Sequence, residues 1–253
     1  MTIQDLYHRL CLSYPAELSC DWDRDGMMVC PDPKREVRHA LVCLDVTREA
    51  VEKATQVGAD VIVSHHPFLY RPLSYLTTED PKGALVLQLL GAGISVMCFH
   101  TRADAAPGGV SDLLADALKL TNSIPLGEEQ ILRGGFLPTH ITAKELGEAV
   151  KGALSTPMVT VADGGKAIRY VTVCGGEGKD MIPTAIACGA DAFVCGRAGY
   201  HAAVDAAQAG LTLIEAGHYF TEQPICDVLR EMLLSIDQNL YVEVVSSNLI
   251  KYI

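Results

Sequence analysis

The sequence has little of what several large protein classes require. Its 253 residues carry only 20 Lys and Arg against 31 Asp and Glu, a formal net charge of −11. Nucleic acids and anionic membranes are bound through clustered cations, so this balance argues against both as partners and suits a site that concentrates metal cations. No apolar run reaches the ~18 residues that span a bilayer, and no membrane segment is expected. The first nine residues lack the apolar core of a secretory signal. Nine cysteines are scattered without one C-x-x-C pair. That is the usage of a reducing cytosol, not of a disulfide or zinc-ribbon framework, and a cytoplasmic location is expected. The single tryptophan, Trp22, stands among Asp21, Asp23 and Asp25 in a loop without EF-hand spacing; it is read as a packing residue in a loop that lines the site. Apolar residues reach 49%, an excess that points to an oligomer.

What is present is a series of short apolar strands ending in polar clusters. Ala59–Ser64 reads as a buried strand, and His65-His66-Pro67 follows where it ends. Imidazole is the commonest side-chain metal ligand, and open α/β sheets place ligands at the carboxyl ends of their strands. Before it, His39–Leu44 reads as a strand and Thr47 caps a helix that Gly58 ends. After it, Asp80-Pro81 opens a helix, and Ile94–Phe99 is a third strand that runs into His100-Thr-Arg-Ala-Asp104. Strand and helix alternating in this way predict an α/β fold with mainly parallel sheets flanked by helices. Further on, Thr142 caps a helix to Leu154, and 158–162 is expected to form a hairpin with 168–173. Cys174-Gly-Gly-Glu-Gly178 either cradles a phosphate or simply turns.

The last third repeats the first. Ala54-x-x-x-Gly58-Ala59-Asp60 is matched by Ala185-x-x-x-Gly189-Ala190-Asp191, and Ala92-Gly93-Ile94 by Ala209-Gly210-Leu211. Each of the later strands runs into a histidine with a carboxylate four residues on, His100 with Asp104 and His218 with Glu222. Two similar interwoven halves are predicted, residues 1–125 and 126–253, with a metal cleft between them. His65, His66, Asp104, His218 and Glu222 are the expected metal ligands. Three imidazoles and two carboxylates exceed the needs of one structural zinc and fit two divalent ions if one carboxylate bridges, with Glu222 the expected bridge. Nitrogen and oxygen donors suit Zn, Fe, Mn or Ni alike. His100 is either an acid/base residue behind the ligands or a core histidine. Arg197 and His201 either bind an anionic group or face solvent.

Taken together, Trp22-Asp23, Cys43-Leu-Asp-Val-Thr47, His65-His-Pro, His100-Thr-x-x-Asp104 and Gly217-His-Tyr-x-Thr-Glu222 resemble the NIF-three-like family, also called dinuclear metal centre hexameric proteins or GTP cyclohydrolase I type 2 homologs. The resemblance runs from about residue 20 to about residue 225. It implies two metal ions on the five residues named above, two interwoven α/β halves and a toroidal homohexamer. Longer members carry an inserted middle domain, which the short distance between the halves here leaves no room for. The chain departs from the pattern at Arg102-Ala103, at Arg24-Asp25 through Cys30, and at Gly196-Arg197. The expected function is a metal-dependent hydrolase that uses a metal-bridging water on a small phosphoester, nucleotide or cyclic amide. The alternative is a non-catalytic metal-binding or scaffold protein.

Overall fold

The computed structural model describes residues 1–252. The chain opens with α1 (Ile3–Ser13), β1 (Gly26–Val29), β2 (His39–Cys43), α2 (Arg48–Val57), β3 (Val61–Ser64), α3 (Pro81–Ala92), β4 (Ser95–Cys98) and the short α4 (Thr101–Ala105). It continues through α5 (Val110–Ala117), β5 (Thr121–Leu126), β6 (Leu132–Ile141), α6 (Ala143–Ala153), β7 (Thr160–Ala162), β8 (Ile168–Val173), α7 (Ile182–Ala187), β9 (Ala192–Cys195), α8 (Tyr200–Gln208), β10 (Thr212–Glu215) and α9 (His218–Glu222). It closes with α10 (Pro224–Ile236) and β11 (Tyr241–Val244).

Two compact units result, each with its own sheet. The first holds Met1–Ala106 and Ile225–Lys251, and the second Pro107–Pro224 with Tyr252. The expected cut at 125/126 would fall inside β5. The units instead divide near 106 and again near 224, because β11 returns to pair in parallel with β2, Tyr241 opposite His39 and Val244 opposite Val42.

In the first unit the strand order is β1-β4-β3-β2-β11, with only β1 antiparallel. Strand β3 is buried on both faces, which its unbroken Val-Ile-Val run requires. Helix starts follow local chemistry. Thr47 Oγ1 accepts the Ala50 amide, and Asp80 accepts the Gly83 amide with Pro81 at the first helical position. Gly58 and Gly93 end α2 and α3 in the left-handed conformation. Leu41, Ile62, Val96, Val51 and Leu89 are at the centre of the core between sheet and helices.

In the second unit the order is β5-β6-β8-β9-β10-β7. Its central trio β8-β9-β10 is parallel, and the strands on either side run antiparallel. The hairpin expected between 158–162 and 168–173 does not form, since β7 pairs with β10, Val161 opposite Ile214. The linking residues carry the chain along β10. The Gly164 amide donates to Thr212 Oγ1 at 3.0 Å, and a Cβ on Gly164 would come within 2.7 Å of the Gly210 backbone.

The internal repeat is visible bond by bond. The Asp60 amide donates to the His39 carbonyl at 2.8 Å, and the Asp191 amide to the Tyr170 carbonyl at 2.8 Å. His66 N–H reaches the Leu44 carbonyl at 2.9 Å, and Arg197 N–H reaches the Gly176 carbonyl at 2.9 Å. Each unit is therefore one copy of the same parallel β-α-β-α-β core.

Candidate metal-ligand clusters

Because β2, β3 and β4 are parallel, the residues that follow them lie at one edge of the first sheet. Asp45 follows β2, His65 and His66 follow β3, and His100 follows β4. His65, His66 and His100 each offer a ring nitrogen within 4.8 Å of the others. His65 is fully buried, and its Nδ1 is 3.0 Å from the Phe99 carbonyl. His66 Nδ1 is 2.8 Å from Asp45 Oδ1. An oxygen at Nδ1 fixes the ring and directs Nε2 outward as the donor atom, the arrangement that orients metal-binding histidines. Asp104, one turn after His100, brings Oδ1 within 3.6 Å of His65 Nε2.

His100 is held by the loop before β1. Its Nδ1 is 2.9 Å from Asp23 Oδ1, while the other Asp23 oxygen accepts the Thr101 amide at 3.1 Å and hydroxyl at 2.7 Å. Burial alone would raise the Asp23 carboxyl, but His100 and Thr101 outweigh it and hold the group well below the usual carboxylate range. Burial would lower the His100 imidazole. The bond to Asp23 and the charges of Asp104 and Asp23 reverse that and raise it.

Two points at which the sequence departs from the family pattern prove to be partners. Arg102 is 3% exposed, and its Nε donates to Asp25 Oδ2 at 2.7 Å while Nη1 donates to the Tyr14 carbonyl at 3.1 Å. The fork ties the start of β1 to α4, the helix that carries Asp104. Trp22, expected as a packing residue in a loop that lines the site, is 49% exposed, with its ring 6.2 Å from that of His100.

The second unit contributes a pair. Gly217 takes a φ of 87° where β10 runs into α9, and His218 and Glu222 then lie one turn apart with Nε2 and Oε2 2.9 Å from each other. Glu222 is 4% exposed. The glycine-rich turn after β8 is its bed. A Cβ on Gly175 would come within 2.9 Å of Glu222 Cγ, and one on Gly176, whose φ is +59°, would overlap Glu222 Oε1. The Gly176 amide also donates to Thr221 Oγ1 at 3.1 Å. Close approach of backbone to carboxylate explains these glycines without a phosphate. Arg197 and His201 are both exposed.

Sequence reasoning missed Asp45 and Asp23 as orienting carboxylates. Both lie in quoted motifs, Cys43-Leu-Asp and Trp22-Asp; for Asp45 the signal is an acidic residue just beyond the end of β2, and for Asp23 a carboxylate beside the tryptophan in the loop before β1.

These features define an α/β protein of two repeated units, each presenting candidate metal ligands at the carboxyl ends of parallel strands. The family model described as Duf34/NIF3 (NGG1p interacting factor 3) matches residues 1–252, and the chain belongs to that family. It is 32% identical over 237 residues to a GTP cyclohydrolase 1 type 2 homolog of Lactococcus lactis, covering 91% of this chain and 90% of that protein. A protein of the same description from Streptomyces coelicolor is 33% identical over 229 residues, 85% of this chain and 79% of that one. Among solved structures, a Bacillus cereus protein related to NIF3 superposes with a TM-score of 0.88 at 22% identity, over 100% of this chain and 99% of that one. That last likeness speaks to fold. No described helix is long and apolar enough to cross a membrane.

Proposed function

We propose that this chain is a metal-dependent hydrolase in which His65, His66, Asp104, His218 and Glu222 hold two divalent ions. The observation that carries the reading is the fixing of both neighbouring histidines through Nδ1, His65 by the Phe99 carbonyl and His66 by Asp45. A histidine that only filled the core would not need a neighbour held the same way at the same sheet edge. The donor set fits the group: imidazole nitrogen and carboxylate oxygen suit Zn, Fe, Mn or Ni. Bound ions of this kind lower the pKa of water and polarise a carbonyl or phosphoryl oxygen. His100 serves as the acid/base, its ring oriented by Asp23. The substrate class is a small phosphoester, nucleotide or cyclic amide. Family resemblance and apolar composition support a ring of six copies.

Elemental analysis of purified protein tests the site. Up to two transition-metal ions per chain are expected, and fewer in His65→Ala and in Glu222→Ala. Wild-type metal content in both variants would refute the ligand set. A screen of the loaded protein against phosphoester, nucleotide and amide substrates then tests the chemistry. Turnover abolished by chelator and by Asp104→Ala supports the hydrolase, and full metal without turnover on any substrate leaves a metal-binding or scaffold protein.

A further inference from the structure

His65 and His66 are consecutive residues, and in a strand consecutive side chains leave from opposite faces of the sheet. Their rings nonetheless lie 4.9 Å apart, inclined at 47°. The backbone achieves this by leaving the strand after Ser64, where β3 ends, and bending at both histidines. The proposed metal centre needs that bend, because only rings brought together can serve neighbouring ions. Regular pairing cannot hold it, since Pro67 has no amide with which to continue the ladder.

The two amides of the bend are held by backbone. His65 N–H reaches the Cys43 carbonyl at 3.3 Å, and His66 N–H reaches the Leu44 carbonyl at 2.9 Å. The two carbonyls are held by side chains. Cys98 Sγ donates to the His65 carbonyl at 2.9 Å, and Ser64 Oγ donates to the His66 carbonyl at 2.9 Å. The other acceptor near the Ser64 hydroxyl, the Met97 carbonyl, is farther off at 3.5 Å. Ser64 and Cys98 are opposite each other in the register of β3 and β4, and both are fully buried. A serine bonded to a carbonyl two residues on curls the chain locally. The Cys98 bond ties the same curl to β4, the strand that leads into His100 and α4.

We infer that Ser64 and Cys98 are positioning residues that hold the His65-His66 bend and so aim both imidazoles at the metal ions. This role rests on the proposed metal site and adds to it two residues that themselves touch no ion. Hydroxyl and thiol do the same work here, each giving a hydrogen to a backbone carbonyl beyond the end of β3. Cys43 supplies the contrast. It is opposite Ser64 in the same row and equally buried, but its thiol makes no hydrogen bond among the described residues.

The test loads the whole chain with cobalt(II), whose visible absorption reports ligand geometry and whose affinity is read by competition with a chelator. Ser64→Ala and Cys98→Ala should each hold cobalt about tenfold more weakly than wild type and shift its absorption band. Cys98→Ser, which keeps a donor, should recover part of the loss. Cys43→Ala, which removes an equally buried thiol from the same row, should keep the wild-type affinity and band. Equal affinity and band in Cys43→Ala and Cys98→Ala overturn the positioning role, and so does a Cys98→Ser no better than Cys98→Ala. Should Cys98→Ala fail to fold, Ser64→Ala set against Cys43→Ala makes the same comparison. Wild-type cobalt affinity in every variant removes the positioning role and leaves the metal centre standing. If wild type holds no transition metal, cobalt included, the metal centre falls and amide hydrogen exchange decides the bend. A peptide spanning residues 62–70 should then exchange faster in Ser64→Ala and Cys98→Ala than in Cys43→Ala, and equal rates overturn the role.

Discussion

Asp60 and Asp191 occupy equivalent places in the two units, yet substitution by asparagine should cost them different amounts. Asp60 Oδ2 accepts the amides of Arg38 at 2.8 Å and His39 at 3.0 Å, while Oδ1 takes Arg35 Nε at 2.9 Å and Nη2 at 2.8 Å. Asp191 Oδ2 likewise accepts the amides of Arg169 at 2.9 Å and Tyr170 at 2.8 Å. No guanidinium fork joins it among the described residues. An asparagine oxygen can accept both amides at either place. At position 60 its NH₂ would then face the Arg35 guanidinium, donor against donor. Exchanging a charged for a neutral acceptor weakens two amide bonds by about 1 kcal/mol together. Losing the half-exposed fork and leaving the Arg35 donors against a donor adds about 1–2 kcal/mol. Asp60→Asn should therefore cost about 2–3 kcal/mol and Asp191→Asn about 1 kcal/mol, or about 4–12 °C against 2–4 °C in Tm for a chain of this size.

Thermal unfolding of chelator-treated protein by circular dichroism reads the difference, and pH supplies an independent check. Burial would raise the Asp60 carboxyl, but the two amides and Arg35 outweigh it and leave the group below its ordinary value. A carboxyl depressed in the folded state stabilises above the unfolded pKa of about 4, and that contribution is lost as pH falls through the lower folded value. The gap between wild type and Asp60→Asn should accordingly narrow below about pH 4. Equal Tm losses at 60 and 191 at neutral pH, or a gap that stays constant into acid, would refute the reasoning.

Asp45→Ala should weaken metal retention about 10–100-fold while leaving the fold intact, by removing the oxygen that orients His66; competition with a chelator measures it. Gly176→Ala should drive Glu222 aside and lower metal content, whereas Gly58→Ala, at a φ of +67° with nothing within 4 Å of the added carbon, should keep its metal and lose only about 1 kcal/mol. Elemental analysis of the two glycine variants side by side separates crowding at the site from backbone strain. Light scattering of wild type should give a particle of six chains, and a stable monomer at micromolar concentration would remove the ring.

Much of this was legible because it is local. Thr47, Gly58, Asp80 and Pro81 act on neighbours within a turn, so they mark the ends of α2 and α3 in sequence as plainly as in space. The Val-Ile-Val run of β3 and the histidines behind it are equally local. What escaped the reading depends on distant partners. Closeness in sequence points to β7 beside β8, but the decisive contact is Gly164 on Thr212. Asp23 and Asp45 gain meaning only through residues 77 and 21 positions away. The loop position of Trp22 is legible from the aspartates around it, but its 49% exposure depends on how residues 20 to 25 are tied to α4.

The return of β11 to β2 sets the order in which the chain can finish folding. The sheet of the first unit gains its last edge strand only when Tyr241–Val244 has been synthesised, although its other strands emerge long before. Residues 107–224, by contrast, form a continuous stretch that can close as soon as it leaves the ribosome. The half that is made first is thus completed last, and it waits with the backbone edge of β2 bare. That is the interval in which strand exchange with a neighbouring nascent chain competes with the native pairing.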